Sequence, residues 1–355
     1  MESSIIDIIV FAPLAPILGV LLFWFIQLLF IESEKYLLLK IRPKHEPLCR
    51  FTNFLGILFQ TICHALGYTI TKSGISDFYI SISYGRVAPK KDKKGVFEWI
   101  ANAFLFIGPF FVPAFLILLC LILTSVNLDV ITTSNLIEMK YTFAGQLSSF
   151  GASLYSFSES FIGLLINIDL LHPGYFGLIL FLIFLGMGIR PSYIGEKKQE
   201  KVDMLYDLKN IWSLITHRPL YIAILILISY IFFYISLFFK ENWYVAFFSI
   251  LAWLSIISII AILIANLIIY LIRITDEMPS FWRYVTFFTM PFAYIFSRTV
   301  FYFFQNSSSN FLSLFITVLS TITVIFLALR YKTNKFKSKR TIKLFKKKDK
   351  GGTNE

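Results

Sequence analysis

The chain has 355 residues, of which 57% are hydrophobic, only 15% are charged and 40 are phenylalanine. This composition excludes a soluble globular domain, because so many apolar side chains must face lipid as well as one another. The formal net charge of +12 calls for an anionic partner, and the bilayer surface is the simplest one. Three cysteines without CxxC spacing predict neither a disulfide framework nor a cysteine zinc site.

Eight apolar runs are long enough to be membrane spans, since a helix needs about 20 apolar residues to cross the hydrocarbon core. They are 8–31, 51–70, 98–125, 161–189, 219–239, 243–272, 284–304 and 311–330. The first run is too long and too poorly followed by small residues to be a removable signal peptide. The predicted fold class is an all-α polytopic membrane protein of about eight transmembrane helices, with a small β-hairpin after the second helix.

Basic residues predict which connections face the cytoplasm, because cytoplasmic flanks retain Lys and Arg. Six basic residues fall in each of 71–97 and 190–218, and eleven more fall between Arg330 and Lys350, whereas 126–160 contains a single lysine. The five basic residues of 32–50 break the alternation. Either that segment lies along the interface, or the first span is not a simple crossing. The sequence predicts an integral membrane protein with a cytoplasmic C-terminus.

The lysine-rich segment 331–355 follows the last predicted span. At about 1 kcal/mol per basic residue near an anionic surface, it is predicted to bind anionic lipid of the inner leaflet. It has too few apolar residues for a core, so we expect it to be disordered off the membrane. No aromatic interleaving or binding module accompanies it, which disfavours a nucleic-acid partner.

The run LFQTICHALGYTITKSGISDFYI, residues 58–80, begins as an apolar helix and ends as an alternating strand. In zincins, HExxH on a helix places two imidazoles on one face, with a glutamate between them that activates the zinc-bound water. Here the two functional positions before His64 are Gln60 and Thr61. The run resembles the motif helix and following strand of site-2-protease-like (M50-type) membrane zinc metallopeptidases.

The resemblance covers residues 51–215. SISYGRVAPKK, residues 81–91, is similar to the family's β-hairpin. WIANAFLFIGPFFVPAFLILL, residues 99–119, is similar to the next span, with a Gly-Pro pair in the family's usual place. FLGMGIRPSYIGEKKQEKVDMLYDLKNIW, residues 184–212, resembles the end of the third core helix and its cytoplasmic continuation.

Carried over residue by residue, the resemblance implies that catalysis is lost. Gln60 stands where the first zinc-binding histidine should be and Thr61 where the general base should be, and threonine cannot act as a carboxylate base near neutral pH. We therefore predict a pseudoenzyme without a catalytic residue or cofactor. It binds, scaffolds or regulates another membrane protein through the former substrate groove. The predicted binding residues, on a strand edge, are Gly74, Ile80, Tyr84, Gly85 and Val87.

Two alternative functions stay open at this point. An intramembrane zinc metallopeptidase with an atypical site would combine His64 with Asp169, His172 or Cys63. The family takes its third ligand from an Asp in its third core helix. Asp169 and His172 are three apart and fit one helix face, but a helix start with a turn at Pro173 is the favoured interpretation. A transporter or channel component would use the last four spans, which contain few polar residues.

The predicted segments are 1–50, a first helix with an interfacial stretch; 51–215, the site-2-protease-like core; 216–330, four further helices; and 331–355, the basic tail. Two polar residues of the further helices also carry predictions. Asn266 is expected to hydrogen-bond across helices. Arg298 is expected to snorkel to the outer boundary of its span.

Overall fold

A computed structural model describes residues 5–82, 84–123, 141–189, 204–303 and 309–350. Five of the helices in these ranges are long and apolar enough to cross a membrane. They are Asp7–Ile41, Val96–Ile122, Pro219–Phe238, Trp243–Asp276 and Ser309–Thr333. A helical, multi-pass membrane protein is therefore supported, while the predicted count of about eight spans is not confirmed.

The elements follow one another as ten α-helices with one hairpin in the described part of the chain. They are a π-helical turn Asp7–Phe11, α1 Leu14–Ile41, α2 Glu46–Ile70, β1 Ile75–Ile80, β2 Gly85–Pro89, α3 Val96–Leu123, α4 Phe143–Ile166, α5 Pro173–Gly188, α6 Met204–Thr216, α7 Pro219–Phe238, α8 Trp243–Asp276, α9 Ser280–Phe303 and α10 Ser309–Lys350.

The predicted span 161–189 is wrong as a single helix. Helix α4 ends at Ile166, a connection follows, and α5 begins at Pro173, where proline is tolerated because first-turn N–H groups have no helical partner. The predicted external stretch 126–160 also contains most of α4, although residues 124–140 lie outside the described ranges. Serine and glycine lower the average hydropathy of α4, but one face buries aromatic and leucine side chains at helical spacing: Phe150, Leu154, Phe157 and Phe161.

The predicted β-hairpin is confirmed. Strands β1 and β2 pair antiparallel, from Ile75 opposite Pro89 to Ile80 opposite Gly85, with a bulge after Ile75. The amide of Ser81 donates to the Tyr84 carbonyl at 2.9 Å and closes the turn end of the ladder. The alternation that predicted a strand therefore corresponds to a short ribbon directly after the motif helix.

The chain divides into two compact units. The first comprises Met1–Ile162 and Phe176–Leu267, and the second comprises Gly163–Tyr175 and Ile268–Glu355. The boundaries of these units do not coincide with those of the four predicted segments. The four segments stay predictions. The hairpin and its motif helix lie in the first unit.

A carbonyl in α3 organises part of the first unit. Pro109 and Pro113 lie inside α3, and each removes one helical N–H donor and opens the helix locally. Between them, the Phe110 carbonyl accepts hydrogen bonds from Gln27 Nε2 at 3.1 Å and from Ser258 Oγ at 3.0 Å. Three helices, α1, α3 and α8, are thus joined at one backbone oxygen.

A second interhelical hydrogen bond was expected from the sequence. Asn266 Nδ2 donates to the Phe30 carbonyl at 3.3 Å, which confirms the predicted structural role of this amide. The bond connects α8 to α1 within the first unit.

The second unit contains α9 packed against α10. Helix α10 continues from Ser309 to Lys350, past the predicted end of the last span at residue 330. Disorder of 331–355 off the membrane stays a prediction. Helix continuation is understandable because lysine is a good helix former and the segment has no proline or glycine before residue 351.

Candidate functional site

A cavity of about 360 Å³ lies in the first unit between α2, β2 and α3. We call it the motif cavity, because three of its lining residues are those that the sequence comparison set against HExxH. Its volume is at the small end of the range typical of ligand pockets. It is lined by Ile57, Gln60, Thr61, His64, Tyr84, Gly85, Arg86, Val87 and Leu105.

Helix α2 presents its motif residues to the motif cavity because of their spacing. Gln60 and His64 are four residues apart, which places them one above the other on one helix face. Thr61 is only 5% exposed, and its hydroxyl donates to the Ile57 carbonyl at 2.6 Å. The hydroxyl proton of Thr61 is thus used inside its own helix, leaving the oxygen only as an acceptor.

Strand β2 lies directly over Thr61. A Cβ atom at residue 85 would overlap the Thr61 hydroxyl and would lie 3.0 Å from the Ile57 side chain. Only glycine permits this approach of the hairpin backbone to α2. Thr61 is therefore closed on one side by the hairpin.

His64 contributes an unsatisfied polar atom to the motif cavity. Its ring lies beside that of Tyr68, with centroids 4.5 Å apart. Its Nε2 atom is shielded from solvent and makes no hydrogen bond to the described residues. A buried polar group without a partner costs about 1–3 kcal/mol, so this atom calls for a bound water or ligand group.

A zinc ion of the kind implied by the resemblance does not fit the residues present. Catalytic zinc needs three protein ligands, and within the described ranges no group of three or more His, Cys, Asp and Glu side chains could hold a metal ion. The thiol of Cys63 does not help, because this fully buried side chain packs against α3 at Gly108. His64 is the single strong metal-binding side chain lining the motif cavity.

Asp169 and His172, the other weak metal candidates, lie in the connection between α4 and α5, in the second unit. They do not share a helix face, and the favoured helix start at Pro173 is confirmed. Asp169 Oδ2 pairs with Arg298 Nη2 at 3.0 Å, and its other oxygen accepts from Tyr294 at 3.3 Å. His172 is exposed, with its ring beside Tyr175.

The pKa of Asp169 reflects these contacts. Burial by itself would raise the pKa, but the hydrogen bond from Arg298, the amide of Leu171 and the charge of Arg298 together hold it below the ordinary value. Asp169 is therefore a carboxylate at neutral pH that is already neutralised by a guanidinium.

Arg298 forms an ion pair that the sequence did not predict, while its snorkelling to a span boundary stays a prediction. Its side chain is only 18% exposed, because it pairs with Asp169 and donates from Nη1 to Ser309 Oγ at 2.7 Å. An arginine inside an apolar run is costly without a partner, and that cost was the signal for an ion pair. The sequence did not identify Asp169 as the partner, 129 residues away.

Three of the five predicted binding residues line the motif cavity, namely Tyr84, Gly85 and Val87, and two do not. Gly74 instead adopts φ +67° at the start of the hairpin, where its carbonyl accepts from Lys90. Ile80 ends β1 opposite Gly85. The sequence missed three lining residues outside the motif: Ile57, Arg86 and Leu105.

The chain was compared with protein-family models, with curated proteins and with solved structures, and none of them matches it.

Proposed function

We propose that this chain is a catalytically inactive, site-2-protease-like integral membrane protein that binds, scaffolds or regulates another membrane protein. The observation that carries the proposal is the motif cavity. It unites the degenerate motif residues Gln60, Thr61 and His64 with the hairpin, and none of its nine lining residues is acidic.

Peptide-bond hydrolysis by a zinc protease of this kind needs a carboxylate base and a metal-activated water, and no carboxylate lines the motif cavity. A general base must be within hydrogen-bond reach of the proton that it abstracts. Thr61, the residue at the base position, donates a hydrogen bond from its hydroxyl to the Ile57 carbonyl. His64 is the one remaining titratable nitrogen in the cavity lining besides the guanidinium of Arg86, and a histidine alone does not make a zinc site.

The hairpin supplies a way to bind a partner. Because the Ser81–Tyr84 pair is hydrogen-bonded, alternation along an antiparallel ladder makes Tyr79–Arg86 hydrogen-bonded and Phe78–Val87 non-hydrogen-bonded. The backbone N–H and C=O groups of Phe78 and Ile80 then point away from β2. We propose that an extended segment of the partner adds to this edge as a third strand.

The same proposal includes the membrane surface. The basic connections favour a cytoplasmic C-terminus, and we propose that the lysine-rich segment 331–355 binds anionic lipid there. Such contacts would hold the protein close to its partner without contributing to the motif cavity.

Photo-crosslinking at the hairpin tests the proposed edge. With a benzophenone amino acid at Tyr79, which is 48% exposed, we expect one discrete membrane protein to be captured in cells, through an extended segment identified by mass spectrometry. Phe78→Pro removes the outward N–H while sparing the hydrogen bonds to β2. It should lower the yield about tenfold, which corresponds to about 1.4 kcal/mol.

Two controls separate strand addition from proximity. Phe78→Val retains the amide donor and the strand propensity, so the yield should stay unchanged. The same benzophenone at Tyr155, 70% exposed on α4, should capture no such protein. Equal capture at Tyr79 and Tyr155 would contradict strand addition. So would a crosslinking yield at Tyr79 that Phe78→Pro does not change.

Metal analysis tests the loss of catalysis. Protein purified in detergent without chelator is expected to contain far less than one equivalent of zinc, because His64 has no second and third ligand in the motif cavity. Mass spectrometry of the acid-digested protein gives the metal content directly. One tightly held zinc per chain that disappears in His64→Ala would establish the metallopeptidase alternative.

A further inference from the structure

We infer that the motif cavity is a carboxylate-binding subsite that holds the C-terminal carboxylate of a bound polypeptide, through Gln60, His64 and Arg86. This inference rests on the proposed function, since it specifies which part of the partner enters the cavity beside the hairpin.

The lining of the motif cavity is rich in donors and has no acid. The amide of Gln60, the hydroxyl of Tyr84 and the guanidinium of Arg86 can each donate hydrogen bonds, and no Asp or Glu lines the space. A cavity with this set of side chains repels cations and favours a hydrogen-bond-accepting anion.

Arg86 already contacts a carboxylate. Its Nε lies 3.4 Å from Asp77 Oδ2, and the two side chains are 69% and 47% exposed. A surface pair of this kind is weak, and a guanidinium has five N–H donors in a planar fork suited to carboxylates. Arg86 can therefore bind a second carboxylate, or exchange Asp77 for it, at small cost.

His64 provides an independent indication of a ligand. Its Nε2 is shielded and has no hydrogen-bond partner among the described residues, while its residue lines the cavity. A carboxylate oxygen at this position would satisfy the nitrogen in its protonated tautomer. A ligand in the cavity that His64 lines would give this buried atom a partner.

The net positive charge of the surrounding segment also favours an anion. The segment 71–97, which contains the hairpin, carries six basic residues against Asp77 and Asp92. This excess attracts anionic groups toward the hairpin. It adds to the local donors without depending on any single side chain.

The size and walls of the cavity favour a chain end over a larger anion. About 360 Å³ is small for a ligand pocket, and Ile57, Val87 and Leu105 give it an apolar side. One guanidinium matches a monoanion. A terminal residue with an apolar side chain offers both features, and the preceding residues would leave along the hairpin edge.

Histidine NMR gives a direct test, because the full chain has only four histidines. The protein is labelled with ¹³Cε1-histidine, placed in nanodiscs, and its His64 signal is assigned by His64→Gln. The probes are N-acetyl-Ala-Val with a free carboxylate, the same dipeptide as its C-terminal amide, sodium octanoate and octyl phosphate.

We expect the dipeptide acid to shift the His64 signal saturably and to bind at least about tenfold more tightly than the amide, or about 1.4 kcal/mol. Arg86→Gln should weaken the binding of the dipeptide acid about tenfold. Arg50→Gln is the matched control, since Arg50 is also exposed and also pairs with a carboxylate, Glu46, but does not line the cavity; it should not change the affinity. Both variants should melt at the wild-type temperature.

Other results would overturn the inference in distinguishable ways. Equal binding of acid and amide, no His64 shift, or equal effects of Arg50→Gln and Arg86→Gln would exclude a carboxylate subsite. Tighter binding of octanoate than of the peptide acid would exclude a chain terminus and assign a free fatty acid. Tighter binding of octyl phosphate would assign a lipid headgroup.

The failure of this inference is separable from failure of the proposed function. If crosslinking at Tyr79 captures a partner but the dipeptide acid does not bind, the edge interaction stands and the carboxylate subsite falls. If the acid binds but no partner is captured, the subsite exists and the proposed role in binding another membrane protein falls.

Discussion

Arg298→Met is expected to lower the free energy of unfolding by about 2–4 kcal/mol. Removing one partner of a fully buried ion pair costs about 3–5 kcal/mol because the other charge is left uncompensated, and here the side chains of Arg298 and Asp169 are 18% and 26% exposed. The bond from Arg298 to Ser309 is lost as well. Denaturant titration of the detergent-solubilised protein measures the change.

A double-mutant cycle shows whether the ion pair is responsible. Asp169→Asn in the Arg298→Met background should add little further loss, since the uncompensated charge is then removed. Arg50→Met is the matched control, because its i,i+4 pair with Glu46 is 52% and 56% exposed and should contribute about 0.3–0.5 kcal/mol. A wild-type unfolding curve for Arg298→Met would favour the snorkelling interpretation.

Gly85→Ala is expected to weaken the attachment of the hairpin to α2 by about 1–3 kcal/mol, the usual cost of overpacking. The new methyl group would overlap the hydroxyl of Thr61, so β2 must move away from the helix. Hydrogen exchange at the amides of β1 and β2 should accelerate by about 5–150-fold, which is the same energy expressed as an opening equilibrium.

The companion variants test this steric explanation. Thr61→Ala removes the atom that the methyl group would meet, so the double variant Gly85→Ala with Thr61→Ala should regain part of the lost protection. Gly151→Ala is the control for glycine replacement, since a Cβ there meets nothing within 4 Å and alanine favours the interior of α4. If all three variants exchange like the wild type, β2 does not rest on Thr61.

Local patterns predicted the parts of the fold that depend on neighbours in sequence. Alternation identified the hairpin, and apolar runs identified a helical membrane protein. The failure at 161–189 has a physical cause: hydropathy averages over a window and does not register the six residues 167–172, where the chain leaves one helix and enters another at Pro173. The start of helix α4 was missed because its many serine and glycine residues lower the average hydropathy, although one face carries buried apolar side chains.

The candidate site was predicted to the extent that it follows one helix and one hairpin. Gln60, Thr61 and His64 were identified through the resemblance of the surrounding run, and Tyr84, Gly85 and Val87 follow from the strand. Leu105 comes from α3, and its approach depends on how α3 packs, which no local pattern encodes. The pairing of Arg298 with Asp169 depends likewise on contacts between distant segments.

The carbonyl shared by three helices has a consequence for biogenesis. Ser258 is synthesised 148 residues after Phe110, so at about 5–20 residues per second roughly 7–30 s pass before its hydroxyl exists. In that interval the Phe110 carbonyl can join α3 only to α1, through Gln27. The junction of three helices is therefore completed late in synthesis, when α8 adds the Ser258 hydroxyl to a carbonyl that α1 can already contact.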